Sequence, residues 1–207
     1  MKKKRCGELI FVTNNRHKLF EIRQITGDGF TVNGLSDIGF SGEIPETEPD
    51  LEGNALMKAR YIYERYGADC FADDTGLEVD ALDGAPGVFS ARYAGENATY
   101  ADNVIKLLEA MNGKVKRTAR FRTVIALILD GREYLFKGTV EGTILTENRG
   151  NKGFGYDPVF LPDGYDKSFA EMTHDEKNSI SHRGRAVAAL VQFLRKTGNK
   201  SGDDRLL

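Results

Sequence analysis

Two apolar runs joined by Asp130-Gly131 constrain the fold more than any other feature of the chain. Residues 119–129 and 133–140 are rich in the β-branched, aromatic and aliphatic residues of strands. An Asp-Gly pair between two such runs is the strongest short-range signal for a β-hairpin. The sequence therefore predicts a long antiparallel hairpin.

Helix-like and strand-like segments alternate along the rest of the chain. Apolar spacing predicts helices over residues 18–26, 51–66, 100–111 and 179–196. Short apolar runs predict buried strands over residues 8–13 and 70–73, and irregular segments are expected over residues 39–50, 75–97 and 150–158. This order indicates a mixed-sheet α/β fold. We expect one domain over residues 1–207, with a polar tail from about Thr197.

Charge and hydropathy exclude several classes of protein. The chain has 29 Lys and Arg against 31 Asp and Glu, a net charge of −2, so nucleic acid is not an expected partner. It lacks an apolar stretch long enough for a membrane helix or a secretory signal. Its two cysteines make no disulfide framework. We expect a cytoplasmic protein with no membrane partner.

The first candidate site lies between a predicted strand and a predicted helix. It consists of Thr13, Asn14, Asn15, Arg16, His17 and Lys18. Backbone N–H groups at a helix N-terminus, with a lysine nearby, favour phosphate oxygens. An Asn-Asn turn with solvated basic residues explains the segment equally well. The P-loop motif G-x-x-x-x-G-K-[ST] is absent, which excludes a P-loop NTPase.

The second candidate site is the acidic pair Asp73 and Asp74, followed by Thr75, with Glu46 in an acidic loop. Mg²⁺ prefers a few carboxylates and keeps waters for substrate phosphates. Successive strand residues face opposite ways, so only one aspartate of a continuous strand would reach the metal. The other could hold backbone donors, and simple Asx turns remain the alternative.

The third candidate site combines an aromatic loop with later basic residues. Its members are Phe154, Gly155, Tyr156, Asp157, Lys177, His182 and Arg183. Glycines beside an aromatic ring let a planar base approach and stack. An arginine can donate to the O6 and N7 atoms of a 6-keto purine, which adenine would not satisfy. Alternatively, Phe154 is a core residue and Arg183 a surface charge. Together the three sites describe a purine triphosphate pocket.

Six motifs in series give the chain a resemblance to the inosine triphosphate pyrophosphatase family, also called dITP/XTP pyrophosphatases. They are FVTNNxxK at 11–18, LEGNAxxKA at 51–59, FADDTGLEV at 71–79, GAPGVFSARYAG at 84–95, GFGYDPVF at 153–160 and EKNSISHRG at 176–184. Each alone is weak, but their order and their spread over nearly the whole chain are specific.

The resemblance implies an elongated mixed α/β fold, with two lobes around a nucleotide-binding cleft, and a homodimer. It implies Mg²⁺-dependent hydrolysis of ITP, dITP and XTP to the monophosphate and pyrophosphate. Thr13 to Lys18 would bind the triphosphate, and Thr75 would contact substrate. Asp74 would be the catalytic residue and a metal ligand with Glu46. Phe154 to Asp157, Lys177, His182 and Arg183 would hold the base.

The chain departs from the family pattern at two positions. Many members have Gly where Asn14 stands and Ser where Thr75 stands, and both replacements keep small polar character. Two other functions fit the same residues: a phosphohydrolase that releases orthophosphate from the γ position, and a nucleotide sensor without turnover.

Overall fold

The computed structural model describes residues 8–27 and 30–203, with side chains up to Thr197. The strands are β1 (Glu8–Phe11), β2 (Thr31–Asn33), β3 (Cys70–Val79), β4 (Pro86–Gly87), β5 (Thr118–Leu129), β6 (Arg132–Ile144) and β7 (Phe160–Pro162). The α-helices are α1 (Arg16–Thr26), α2 (Leu51–Tyr66), α3 (Tyr100–Ala110), α4 (His174–Ile180) and α5 (His182–Asp203). Within these residues no helix is both long enough and apolar enough to cross a bilayer.

One mixed sheet organises the molecule. Its strand order is β2-β1-β3-β5-β6-β7, with β4 added to β3. β1 runs parallel to β2 and β3, and the remaining pairs are antiparallel. The predicted hairpin is confirmed as β5 and β6. Asp130 and Gly131 take φ angles of 50° and 77°, the positive values that a tight two-residue hairpin turn requires.

Apolar side chains divide the fold into two lobes that share the long strands. In the first lobe, α2 covers one face of the sheet through Ala55, Ala59 and Ile62. α1 and α5 cover the opposite face around Phe71 and Leu127. The second lobe packs α3 and the segment around β7 against the far halves of β3, β5 and β6. The predicted mixed α/β fold is therefore confirmed.

The strand predicted over residues 70–73 is longer than expected. β3 continues to Val79 because it pairs with β5 from Cys70 opposite Ile128 to Val79 opposite Ala119. Gly76 permits the close approach of β4 on the other side of β3, since a Cβ there would lie 2.7 Å from the carbonyl oxygen of Gly87. The irregular segment expected from Thr75 therefore begins only after β3. Long-range pairing outweighs the poor strand preference of Asp and Gly.

Two helix predictions and the expected polar tail also need correction. α1 begins at Arg16 because Asn15 is its N-cap and accepts from two backbone N–H groups of the first turn. The predicted helix over residues 179–196 is two helices, α4 and α5. They are separated at Ser181, whose hydroxyl accepts from the backbone N–H of Gly184. α5 continues into the expected polar tail as far as Asp203.

Candidate active site

A cavity of about 270 Å³ lies between the two lobes. Residues from all three candidate segments line it. They are Thr13, Asn14, Asn15, Lys18, Glu46, Asp74, Thr75, Phe154, Gly155, Tyr156, Asp157, Lys177, His182 and Arg183. Arg16 and His17, which the sequence also placed in the site, are not among the lining residues.

β3 divides the acidic pair between two faces of the sheet. Asp74 points to the α2 side, where it accepts from the Lys58 ammonium at 2.8 Å. Asp73 points to the α1 and α5 side, where it accepts from Lys18 at 2.9 Å and from Arg183 at 3.2 Å. The sequence allowed Asp73 to hold backbone donors, but it binds these two cations instead. Because the strand continues through both residues, alternation sends them to opposite faces of the sheet, and of the two only Asp74 lines the cavity.

Lys58 joins the two carboxylates predicted to bind metal. Its ammonium donates to Glu46 and to Asp74, each at 2.8 Å. Burial lowers the pKa of Lys58, but the adjacent Asp74 and Glu46 carboxylates outweigh burial and the net pKa is raised. Burial raises the pKa of Asp74, which Lys58 and Lys18 do not fully offset. Asp74 therefore has less positive charge nearby than its burial requires.

The side chain of Asn54 on α2 fixes the loop that carries Glu46. Its amide oxygen accepts from the backbone N–H of Glu48 at 3.0 Å, and its amide nitrogen donates to the Glu48 carbonyl at 3.2 Å. Arg92 lies 3.8 Å from the Glu46 carboxylate. This support explains how a residue in an otherwise irregular loop reaches the cavity.

The donor chemistry at this acidic end fits Mg²⁺. In the described part of the chain, no cluster of three or more His, Cys, Asp or Glu residues could hold a metal ion. Glu46 and Asp74 are two carboxylates that accept from the same ammonium, that of Lys58. Mg²⁺ is commonly held by one or two carboxylates together with substrate phosphates.

At the start of α1, positive charge comes from the Lys18 side chain more than from the backbone N–H groups, because Asn15 occupies two of these groups. The Asn15 side chain accepts from the backbone N–H groups of His17 and Lys18 at 2.9 and 3.2 Å. The Lys18 ammonium pairs with the Asp73 carboxylate at 2.9 Å. Burial lowers the pKa of Lys18, and Asp73 only partly offsets this. Asn14 lines the same end and donates to the carbonyl of Gly42 at 3.1 Å.

The opposite end of the cavity holds an enclosed ion-pair network. Lys177 donates to Glu21 at 2.8 Å and to Asp157 at 2.7 Å. Arg183 donates to the other oxygen of Glu21 at 2.6 Å. The side chains of Lys177, Glu21 and Arg183 are no more than 5% exposed. The alternative that Arg183 is a surface charge is therefore wrong.

Opposing effects set the pKa values of the carboxylates in this network. Burial raises the pKa of Glu21, but Arg183 and Lys177 outweigh it and the net pKa is lowered. Burial also raises the pKa of Asp73, but Lys18 and Arg183 outweigh it and hold the pKa well below its usual value. Burial raises the pKa of Asp157, and Lys177 does not fully compensate.

Arg183 keeps donors available despite these partners. Its Nε, Nη1 and Nη2 atoms donate to Asp73, Glu21 and the Thr75 hydroxyl. These bonds use three of the five N–H donors of a guanidinium, which leaves one on each terminal nitrogen. Arg183 lines the cavity, so it combines a fixed position with remaining donor capacity.

His182 is buried beside this network. Its ring stacks on Phe121 with centroids 4.6 Å apart and an interplanar angle of 16°. Burial, reinforced by Arg183 and Lys177, holds its pKa well below the usual value, so the ring is neutral. Among the described side chains, its Nδ1 is the buried polar atom without a hydrogen-bond partner. Buried polar atoms are normally satisfied, so this unpartnered atom is an exception within the site.

Asp157 shapes the loop that presents Phe154. Its carboxylate accepts from the backbone N–H of Phe154 at 2.8 Å, in addition to Lys177. Gly153 has a φ of 74°, and a Cβ at this position would collide with the Asp157 carboxylate. The glycine is therefore required for the turn that brings Phe154 to the cavity.

Sequence reasoning missed two charged residues at the site. Lys58 falls on the apolar stripe of α2, between Ala55 and Ile62, and a lysine on a buried stripe is a signal that could have identified it. Glu21 gives a weaker signal, one residue before the buried Ile22 of α1.

A second depression, of about 420 Å³, lies between α1 and α5 on the outer surface. Ile25, Ala188, Val191, Gln192, Arg195 and Lys196 line it. These residues include no carboxylate and no aromatic ring. The acidic and aromatic groups that could bind and cleave a phosphorylated ligand therefore belong to the cavity between the lobes.

The fold and the cavity define an α/β protein with one composite polar site between two lobes. The chain belongs to the Ham1 family, whose sequence profile matches residues 9–193. The family resemblance predicted from the motifs is confirmed.

Relatives and solved structures agree with this assignment over most of the chain. The dITP/XTP pyrophosphatase of Porphyromonas gingivalis is 58% identical, covering 90% of this chain and 97% of its own. That of Flavobacterium psychrophilum is 49% identical, covering 91% and 99%. The HAM1 protein structure from Coxiella burnetii has a TM-score of 0.84 at 38% identity, covering 92% and 99%.

Proposed function

We propose that this protein hydrolyses the non-standard purine nucleoside triphosphates XTP, ITP and dITP to the monophosphate and pyrophosphate, with Mg²⁺ as cofactor. The observation that carries the proposal is one cavity with a carboxylate pair at one end and an aromatic and basic pocket at the other. Relatives of up to 58% identity that bear the name dITP/XTP pyrophosphatase support the substrate class.

Glu46 and Asp74 would hold Mg²⁺, which when bound offsets negative charge on the phosphate oxygens. Lys18 and Lys58 supply the positive charge that the protein itself brings to this end. Substrate phosphates would draw these ammonium groups from Asp73, Glu46 and Asp74, with which they pair at 2.8 to 2.9 Å.

For the chemical step we propose in-line attack of water on the α-phosphorus, with pyrophosphate as the leaving group. The Asp74 carboxylate orients the attacking water by accepting a hydrogen bond from it. Lys18 stabilises the charge that develops on the departing pyrophosphate. Thr75, which shares a 2.7 Å hydrogen bond with Thr123, contacts the substrate between the two ends.

At the other end, Phe154 would provide the stacking surface for the base. The two remaining donors of Arg183 suit the O6 and N7 acceptors of a 6-keto purine, whereas adenine presents an amino donor there. The unpartnered Nδ1 of His182 offers a further hydrogen bond to the ring. Guanine shares O6 and N7, so Arg183 does not account for its rejection.

The homodimer, the cytoplasmic location and the absence of a nucleic-acid partner belong to the same proposal. The family resemblance supports the dimer, and the free nucleotide substrates support the location. A net charge of −2 argues against duplex binding.

The test is a panel of nucleoside triphosphates with purified protein and Mg²⁺, in which pyrophosphate and orthophosphate are both measured. We expect pyrophosphate from ITP, XTP and dITP, much slower turnover of ATP and GTP, and no turnover after chelation. Orthophosphate as the product would indicate a γ-phosphohydrolase. Saturable ITP binding without any turnover would indicate a sensor.

A further inference from the structure

Three aromatic rings from distant parts of the chain meet at the base end of the cavity. The His17 ring is stacked on Phe154, with centroids 5.2 Å apart and an interplanar angle of 18°. Tyr100 lies 6.2 Å from His17 and 5.8 Å from Phe154. These rings belong to the first turn of α1, the first turn of α3 and the glycine-rich loop before β7.

His17 differs from the other two rings in its relation to the cavity. Phe154 and Tyr100 line the cavity, whereas His17 does not. His17 therefore stacks on Phe154 without lining the cavity. A ring that occupied the place of the base would itself border the cavity.

The start of α1 is fixed to this cluster by Asn15. The Asn15 side chain accepts from the backbone N–H of His17 and donates to the Tyr100 hydroxyl at 3.2 Å. The position of the His17 ring is thus set by the helix cap and by α3 together.

His17 adds a ring contact to the support that Phe154 already has. Gly153 and Gly155 flank Phe154 with φ angles of 74° and 62°, Asp157 accepts from its backbone N–H, and the Lys177 ammonium lies 4.8 Å from its ring centroid. A stacking surface that is already ordered lowers the entropy cost of binding a base.

We propose that His17 is a positioning residue that holds the Phe154 ring in place for the substrate base. This assigns His17 to base binding, whereas the sequence grouped it with the triphosphate contacts. The proposal rests on the proposed function, because it requires a purine nucleotide that stacks on Phe154.

The chain offers a matched control. His174 is also an exposed histidine in the first turn of a helix, and its ring contacts a phenylalanine, Phe20, at 5.4 Å. Neither His174 nor Phe20 lines the cavity. Replacement of His174 by alanine removes the same atoms at a comparable position without affecting Phe154.

The experiment measures steady-state kinetics of ITP hydrolysis for His17→Ala, His17→Phe and His174→Ala, with pyrophosphate as a competitive inhibitor. For His17→Ala we expect KM to rise about three- to tenfold, the size of a lost aromatic pair, with kcat and the inhibition constant of pyrophosphate unchanged. His17→Phe should restore the original KM, and His174→Ala should match the unsubstituted protein.

Two results would overturn the proposal. An unchanged or lower KM in His17→Ala would overturn the proposal, since a ring that occupies the base position would improve binding when removed. A parallel rise in the pyrophosphate constant would also overturn it, because His17 would then be a phosphate contact. Either result leaves the proposed function standing if the unsubstituted protein releases pyrophosphate from ITP.

Discussion

The two ends of the cavity differ in how their charges are balanced. At the acidic end, the Lys58 ammonium bridges Glu46 and Asp74, and Arg92 lies 3.8 Å from Glu46. At the base end, Glu21 and Asp157 pair with Lys177 and Arg183. The Asp73 carboxylate connects Lys18 to Arg183. The carboxylates at the base end are matched by cations, which suits an uncharged base.

The two ends also differ in exposure, chiefly at Glu46. The Glu46 side chain is 36% exposed, whereas those of Lys58 and Asp74 are 6% and 10% exposed and those of Asp73 and Arg183 are 1% and 2% exposed. Asp73 and Asp74 are adjacent on one strand, but Asp73 accepts from Lys18 and Arg183 and Asp74 accepts from Lys58.

The largest expected effect comes from removing charge at the acidic end. Asp74→Asn should abolish turnover of ITP, because the amide is a poor Mg²⁺ ligand and a weaker acceptor for the attacking water. Nucleotide affinity should remain measurable by calorimetry, since the base pocket is unchanged. Asp80→Asn, at a position outside the cavity, is the control. Near-normal turnover by Asp74→Asn would refute the assignment.

Removal of a carboxylate from the buried ion-pair network at the base end should strongly lower the free energy of unfolding. Glu21→Leu leaves Lys177 and Arg183 without one of their buried partners, and we expect the free energy of unfolding to fall by about 3–5 kcal/mol. Urea denaturation measures it. Glu133→Gln, which disrupts the exposed pair with Arg60, should cost less than about 1 kcal/mol. Equal losses would contradict the distinction between buried and exposed pairs.

Arg183→Lys sharpens the comparison on selectivity. Lysine keeps the charge near Glu21 and Asp73 but lacks the paired donors of the guanidinium. We expect kcat/KM for ITP to fall about tenfold, with little change for ATP, because a bidentate contact to O6 and N7 discriminates by about 1–3 kcal/mol. Equal losses for both nucleotides would argue against base reading by Arg183.

The smallest effect concerns pH. Burial is the main reason that the pKa of His182 lies well below its usual value. Arg183, Lys177 and Lys18 lower this pKa further, and Asp73 opposes them. The unfolded chain therefore takes up a proton before the folded protein as the pH falls. Stability should decrease by about 1 kcal/mol between about pH 7 and about pH 5.5 from this residue. In chemical denaturation His182→Phe should flatten that slope, and an unchanged slope would contradict the assignment.

Local signals in the sequence predicted much of the fold. The helix over residues 51–66 has the observed bounds because Asp50 and Gly67 mark its ends, and Asp130-Gly131 defined the hairpin. Thr75 lies in a strand because it pairs with Thr123 of β5, and the local sequence around Thr75 does not predict this long-range pairing. Tyr66 continues the helical spacing of the buried residues Ala55, Ala59 and Ile62, yet it is 42% exposed at the last turn.

Most of the candidate residues taken from the motifs line one cavity, but their pairings were not predictable. Arg183 looked available for a ligand, yet its partner Glu21 lies 162 positions earlier in the chain. Only the packing of α1 against α5 brings the two together. Lys58 was passed over because its role depends on Glu46, which reaches the cavity through a loop held by Asn54.

The most direct test of the account is a crystal structure of the Asp74→Asn variant with ITP bound. We predict electron density for the triphosphate beside Lys18 and Lys58, and for the hypoxanthine ring against Phe154 with O6 and N7 facing Arg183. A nucleotide bound outside this cavity, or one with its ring at the Glu46 end, would contradict the division of the cavity into a phosphate end and a base end.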